Sequence, residues 1–381
     1  MQYHVHRYDQ AAQLGKHRDE WIEFADRCAL AAPFCHPKVW LAWLAIFIEY
    51  DPIVYELRQG SELRALLPLY KQGSTLHLAT DEHLDYQDIV ANSDRDATTL
   101  LAAVIEQEGK KGHSLCFEKV AEHSRLHRAL ASPALTEVAA IRGRFWSICP
   151  STTLELRGPG RFLESLSSRQ RKDFKAAARR IRETYPDHVI EHRLGTEIDA
   201  RDLEIAAALH RDNQYRKKGD SVFTDRDFAA FLERQASLEA PLLLSTLKNK
   251  PGGEALAFNL GYVSDDTYYY YITAYDGNIA ALSPGRVLLI KTLGHCADRI
   301  TGSKLRFDLL SGEESYKSRW ATAFYEVARY QVIPKRLTNL PRVAAYSAVY
   351  SLKTAKNRLM RWRSGGERLP GLDHEPPVLA G

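Results

Sequence analysis

One succession of elements is written twice along these 381 residues, and that repetition restricts the fold more than any other feature. In the first pass, helical spacing over Ala11–Ala29 and Pro37–Ile48 precedes the alternating run Ile53–Arg58. A Gln59-Gly60 turn leads to a second strand at Leu63–Tyr70, and Gln72-Gly73 to a third at Thr75–Ala79. A helix near Ala97–Gln107 and a strand at Ser114–Phe117 follow. The second pass opens with a strand at Thr152–Leu156 and a long helix from about Arg161 to Glu183, broken near Ser167-Ser168. Helices at Asp199–Lys217 and Asp225–Glu239 lead into strands at Leu242–Leu247, Leu256–Tyr262 and Thr267–Tyr275. Four consecutive tyrosines make the last of these apolar on both faces, as a central strand must be. Ser283-Pro284-Gly285 starts a helix reaching about Arg299, followed by strands at Lys304–Asp308 and Phe324–Val332. Each pass is thus helices, a three-strand meander, a helix and a further strand. The pattern predicts an α/β (α+β) chain of two tandem domains, residues 1–150 and 151–333, each a mixed, mostly antiparallel sheet flanked by helices. Residues 334–381 are expected to form a basic helical extension and flexible tail.

Composition narrows the function classes. At 45% hydrophobic and 26% charged residues, the chain has material for two cores. Its longest apolar run, Val39–Ile48, is about half of what a bilayer needs, and the N-terminus carries no basic stretch followed by an apolar segment. The expectation is a soluble, cytoplasmic protein without a transmembrane segment. Five scattered cysteines without a Cys-x-x-Cys pair argue against a metal site or a disulfide framework. Charge is unevenly divided: residues 1–150 hold 16 basic and 20 acidic residues, the remainder 36 and 28. Lys335–Arg363 carries eight basic residues and no acid, which suits an anionic partner and allows a weak membrane-surface association.

The sequence contains no Gly-x-x-x-x-Gly-Lys-Ser/Thr loop, no Gly-x-Ser-x-Gly elbow and no His-Glu-x-x-His helix. Gly158-Pro159-Gly160 reads as a plain turn. At Ser283–Val287 a helix N-terminus follows the last strand of a meander, and the amides of Gly285, Arg286 and Val287 are candidate phosphate donors. An ordinary capped helix would look the same. A second polar cluster leaves a strand end at Phe307–Lys317: Asp308 can accept hydrogen bonds from a substrate or order the loop, Tyr316 can exchange a proton, and Lys317 can neutralise phosphate or a developing oxyanion. A turn with one surface ion pair is the alternative there. Arg169, Arg171, Lys172, Lys175, Arg179, Arg180 and Arg182 spread over about half of one helix, opposite the stripe Phe174, Ala178 and Ile181. That face meets water or a polyanion. His210 and His295, each alone on a helix, read as structural.

Taken with the order of elements, these residues resemble a GCN5-related N-acetyltransferase (GNAT) domain, in particular the CelD/BcsL-type proteins of bacterial cellulose and polysaccharide synthesis. The second part carries the likeness in Leu166-Ser167-Ser168-Arg169-Gln170-Arg171-Lys172-Asp173-Phe174, Ala274-Tyr275-Asp276, Ser283-Pro284-Gly285, Phe307-Asp308, Gly312 and Tyr316-Lys317. The first part carries it in Pro33-Phe34-Cys35-His36-Pro37, Trp40, Leu67-Pro68-Leu69 and Asp85-Tyr86, so that most of residues 20–333 are covered.

The resemblance implies acyl transfer from acetyl-CoA or another acyl-CoA to an amine or hydroxyl of a sugar or amino-compound acceptor, without a metal. It puts Ser283, Gly285, Arg286 and Val287 at the donor's phosphates and Asp276, Asp308, Tyr316 and Lys317 near the chemistry. The chain departs from the family's usual Arg/Gln-x-x-Gly-x-Gly/Ala loop, having only Ser283-Pro284-Gly285 there. It is also similar to the Fem-type transferases, which have two GNAT-like domains and take aminoacyl groups from tRNA; Lys317 resembles that branch's functional lysine. A catalytically silent binding module in polysaccharide or envelope assembly is the alternative outside enzymes. The first part, lacking a glycine-containing phosphate turn, is expected to shape the acceptor cleft.

Overall fold

The computed structural model describes residues 2–47, 49–80, 83–217, 219–312, 314, 316–336 and 341, so nearly all of the extension expected after residue 334 lies outside the described residues. The first half runs β1 (Tyr3–Tyr8), α1 (Ala11–Asp26), α2 (Pro37–Ile46), β2 (Asp51–Gln59), β3 (Glu62–Gln72), β4 (Thr75–Leu78), β5 (Val90–Ala91), α3 (Asp94–Lys110), β6 (Ser114–Ala121), α4 (Arg125–Leu130), α5 (Pro133–Val138) and β7 (Ala139–Glu155). The second runs α6 (Ser168–Thr184), β8 (Val189–Leu194), α7 (Ala200–Lys217), α8 (Arg226–Ser237), β9 (Leu242–Lys248), β10 (Ala255–Val263), β11 (Thr267–Tyr275), α9 (Pro284–Arg299), β12 (Lys304–Asp308) and β13 (Ala323–Pro334).

The thirteen strands among the described residues join one sheet in the order β1-β2-β3-β4-β6-β13-β7-β12-β11-β10-β9-β8, with β5 on β3. The repeat is visible in this order. In each half a meander ends in a strand that pairs in parallel with the next, across a connecting helix: β4 with β6 around α3, and β11 with β12 around α9. A parallel pair cannot be closed by a hairpin and needs a crossover, which a helix supplies in each half. The remaining strand pairs of the sheet are antiparallel. The halves meet at β7 and β13. Residues 139–151 of β7 pair with β13, residues 151–155 pair with β12, and the other edge of β13 pairs with β6. Cys149 and Pro150 thus sit inside a strand that serves both halves.

Three cores follow from which face each side chain takes. Tyr55, Leu57 and Leu67 pack under Leu101 and Ile105 of α3. Tyr268, Tyr270 and Phe307 pack under α6 and α9 through Phe174, Ile181 and Leu293. The third core joins the halves: Trp21, Phe34, Trp40 and Trp43 meet Phe228, Phe231, Tyr262 and Tyr269. The alternation along β11 therefore sends Tyr268 and Tyr270 to one core and Tyr269 to another, as an interior strand requires. α6 begins at Ser168 because Ser167 forms a capping box with Gln170; this is the interruption expected near Ser167-Ser168. On α6 the buried residues are Phe174, Ala177 and Ile181, with Ala177 in place of the expected Ala178. The meander strands and most helices match expectation, whereas β1, β5, β8, α4, α5 and the first thirteen residues of β7 lie beyond it.

Candidate active site

β11 and β12 stay paired only from Thr267/Arg306 to Tyr269/Asp308. Beyond that point β11 continues for six residues to Tyr275, about 20 Å, without β12 beside it. The candidate residues lie at the two ends of this parting. At the far end, Asp276 accepts from the amide of Asn278 at 2.9 Å and caps the turn Gly277–Leu282, which delivers the chain to α9. Asp276 is therefore grouped with the α9 terminus and separated from Asp308. Ser283 takes a left-handed conformation (φ 58°) and makes no side-chain cap, and Pro284 occupies the first helical position. The Val287 amide makes the helix's own first bond to the Ser283 carbonyl at 3.3 Å, and the Arg286 amide reaches the same oxygen at 3.2 Å. Of the three amides expected to be phosphate donors, Val287 is thus committed to the helix, Arg286 is shared, and Gly285 remains for a ligand. A Cβ at Gly285 would lie 3.5 Å from the Tyr275 ring, so alanine fits there and a larger side chain would protrude where a ligand approaches.

Cations collect around this end. Arg286 pairs with Asp173 of α6 at 3.4 Å. Lys217 lies 5.9 Å from the centre of the Tyr275 ring, and Arg216 bonds Asn278 at 3.1 Å. The corresponding helix of the first half differs: α3 begins with the Ser93 hydroxyl accepting from the Asp96 amide and with Asp94 and Asp96 in its first turn. Two carboxylates there repel an anionic ligand at that helix start.

At the near end Asp308 is fully buried. Its Oδ1 accepts from the Tyr86 hydroxyl at 2.6 Å and the Leu310 amide at 2.9 Å, and its Oδ2 accepts from the Tyr325 hydroxyl at 2.6 Å, with Arg306 3.3 Å away. The two tyrosine hydroxyls also touch. Burial raises the Asp308 carboxyl above its ordinary range, opposed by these tyrosines and by Arg306. With its oxygens so engaged, Asp308 orders the loop; of the two roles open to it, the geometry favours that one over substrate contact. Lys317, only 5% exposed, donates to the Ser311 carbonyl at 2.6 Å and pairs with Glu314 at 2.8 Å. Tyr316 meets the Tyr270 ring edge-on at 6.3 Å, and burial pushes its hydroxyl well above the ordinary tyrosine value. Asp308, Tyr316 and Lys317 are thus brought together; Asp276, Ser283, Gly285, Arg286 and Val287 form a separate group.

On the opposite face of β11 and β12 a cleft of about 640 Å³ separates the halves, lined among others by Asp26, His123, Arg125, Asp265 and Asp266, with Tyr269 and Arg306 contributed by the strands. The Arg306 guanidinium lies over the Tyr325 ring at 5.3 Å. His210 is buried against the Ser221 hydroxyl, and His295 stacks on His192 at 4.2 Å. His17, Glu20 and Glu56 converge as metal ligands would, and Arg58 binds both carboxylates, at 2.6 and 2.8 Å, offsetting one of their two charges. Tyr86, Tyr325, Ser311 and Arg306 were missed as site residues. Asp85-Tyr86 was visible as a motif without a role; nothing in the local pattern of β13 marks Tyr325.

Residues 168–318 match the family described as Acetyltransferase (GNAT) domain. No curated protein matches the chain. Among solved structures, a conserved protein of unknown function from Bacteroides thetaiotaomicron is similar at TM-score 0.57 and 16% identity, over 87% of this chain and 100% of its own. FemX is similar at TM-score 0.60 and 11% identity, over 86% and 96%. The C-terminal domain of a putative lysylphosphatidylglycerol synthetase from Agrobacterium fabrum is similar at TM-score 0.53 and 11% identity, over 85% and 93%. No helix among the described residues is long and apolar enough to cross a membrane.

Proposed function

From the premise that this chain carries a GNAT transferase domain at residues 168–318, we propose that its second half, residues 151–333, moves an acyl group, acetyl first among candidates, from acyl-CoA to an amine or hydroxyl of a sugar or amino compound in the cytoplasm. The first half, residues 1–150, walls the acceptor cleft. The observation that carries this reading is the parting of β11 from β12 with the uncapped start of α9 at its far end. An extended thioester would put its phosphates at Gly285, among Arg286, Arg216 and Lys217, and run its pantetheine along the unpaired edge of β11 towards Tyr316 and Lys317. The acceptor's lone pair attacks the thioester carbonyl, the C–S bond breaks, and the proton the acceptor loses passes to the departing sulfur, which leaves as the thiol. Lys317 has three N–H donors, two of them engaged, which leaves one for the carbonyl oxygen as charge develops. Burial keeps the Tyr316 phenol protonated, so it can donate a hydrogen bond to the departing sulfur without giving up its proton.

Binding tests the reading directly. Acetyl-CoA should raise the melting temperature by mass action. Gly285→Glu should abolish that rise while Gly285→Ala keeps it, because glutamate adds bulk and negative charge beside Tyr275. No rise at millimolar acetyl-CoA would end the CoA reading. One feature favours a second reading, aminoacyl transfer from tRNA: Lys172, Lys175, Arg179 and Arg182 form an exposed row on α6, beside the α9 start through Asp173–Arg286. Should neither donor bind, a silent module in envelope or polysaccharide assembly remains.

A further inference from the structure

Two short paths lead from the first half to the loop that carries Lys317. The Asp85 carboxylate accepts from the Ser311 hydroxyl at 2.6 Å, and the backbone carbonyl of the same Ser311 accepts from Lys317 Nζ, also at 2.6 Å. Next to it, the Tyr86 hydroxyl holds Asp308 Oδ1, which in turn accepts from the Leu310 amide at 2.9 Å. Residues 308–311 are therefore pinned at both ends to the consecutive residues 85 and 86. Tyr86 (φ 50°) and Leu310 (φ 59°) both adopt left-handed backbone, which non-glycine residues hold only when their surroundings dictate it. Gly312 (φ 127°) then bends the chain so closely over the ammonium that a Cβ there would lie 2.8 Å from Nζ.

We propose that Asp85 and Tyr86 are positioning residues for acyl transfer: through Ser311 and Asp308 they fix the carbonyl that holds the Lys317 ammonium. The half without a donor turn thereby sets the oxyanion donor of the other half. The inference rests on the reading of Lys317 given above. An ammonium that must meet a carbonyl oxygen only as charge develops needs its place fixed within a few tenths of an ångström, and a displacement of about 1 Å can cost about a hundredfold in rate. Its own loop supplies Glu314, whose side chain is 56% exposed and thus poorly fixed, so the firmer anchors come from across the junction, the half-buried Asp85 and the buried Tyr86.

The test is a coupled kinetic cycle on the full chain, reading release of the CoA thiol from acetyl-CoA with glucosamine as the acceptor probe and with water alone. Lys317→Met should lower kcat by roughly a hundredfold or more. Asp85→Ala and, separately, Ser311→Ala should lower kcat by roughly tenfold to a hundredfold with KM for acetyl-CoA unchanged. Asp85→Asn keeps an acceptor oxygen for Ser311 and should recover most of the loss. In the Lys317→Met background Asp85→Ala should add almost nothing, because a positioning residue has nothing left to position. Full, additive losses, or an unchanged kcat in Asp85→Ala beside a crippled Lys317→Met, would overturn the positioning role alone. An active Lys317→Met would overturn the reading of Lys317 beneath it. Hydrogen exchange gives an arm free of turnover: Asp85→Ala should speed exchange at residues 309–312 and leave α9 unchanged, and equal protection in both proteins would overturn the inference even if no acceptor is found.

Discussion

The Tyr86 hydroxyl donates to Asp308 across 222 residues of chain, at 2.6 Å, with both side chains buried. A hydrogen bond to a buried carboxylate is among the stronger ones in net terms, about 1.5 to 3 kcal/mol. Tyr86→Phe removes it without removing the ring, so urea unfolding should show a loss of that size. Tyr325→Phe should cost a similar amount. Because the two hydroxyls also touch and share one carboxylate, their effects should not add. Strict additivity would mean that the three groups do not act as one junction.

Gly261 offers a sharper test of the sheet. The register of β10 against β11 shifts at Leu260/Gly261, and a Cβ at Gly261 would lie 2.4 Å from the Tyr269 carbonyl and 2.6 Å from the Tyr268 ring. A backbone carbonyl cannot swing away as a side chain can. Gly261→Ala should therefore lower stability by about 1 to 3 kcal/mol, the usual range for overpacking. An unchanged melting temperature would show that the close approach at this shift is absent.

Which parts of this architecture were readable follows from where each strand sits. β3, β10 and β11 lie inside the sheet and carry runs such as Leu66, Leu67 and Leu69, so their apolar pattern is strong. β1 and β8 are the outer edges, and their sequences, YHVHRY and VIEHRL, interleave His, Arg and Glu. Edge strands need such residues to discourage further pairing, and these dilute the signal. β7 hides for another reason: its middle holds Arg142, Arg144 and the exposed Phe145, which give no apolar pattern although they pair along β13. The site was half legible. Ser283–Arg286, Tyr316 and Lys317 stand out locally, while Tyr86 and Tyr325 acquire meaning only through contacts hundreds of residues apart, or across a strand order that no local period encodes.

Acid stability has opposing contributions whose signs can be worked out. Burial lowers His210 from 6.5 to about 4; a lowered histidine favours the neutral, folded form, so its stabilisation is lost as pH falls from about 6.5 to 4. The limit is about 3 kcal/mol. His192, lowered to about 4 by burial and by His295 and Lys291, adds loss in the same window. Asp88, 5% exposed, is raised from 3.8 to about 6 by burial despite three backbone amides; its contribution runs the other way, growing as pH falls from about 6 to 4. His123, lowered to about 4 by burial and by Arg306, adds a third loss, and Asp308, raised by burial, a second gain; the histidine losses outnumber the carboxyl gains, which predicts net destabilisation on acidification. Urea midpoints between pH 7 and 4 should fall, less steeply in His210→Asn and more steeply in Asp88→Asn. A wild-type protein whose midpoint rises towards pH 4 would contradict the histidine assignments.

Donor choice can be decided by salt. Lys172, Lys175, Arg179 and Arg182 lie on one exposed row of α6, whereas Arg171 is half-buried and donates to the Leu166 carbonyl, where it helps hold the helix start. Charge reversal at Lys172, Lys175 and Arg179 therefore tests polyanion contact without touching that support; reversing Arg171 would confuse binding with folding. If tRNA lies along this row, log affinity should fall linearly with log salt, and each lost phosphate contact should reduce the slope by about 0.7 to 0.9. The triple reversal should then flatten the slope by roughly two and abolish binding at physiological salt, while the acetyl-CoA melting shift, which depends on Gly285, stays in place. Should the reversal remove the acetyl-CoA shift as well, the row serves the CoA phosphates instead. Equal, weak binding of tRNA, heparin and the reversed variant would make this face of α6 an ordinary solvated one, and the tRNA reading would fall with it.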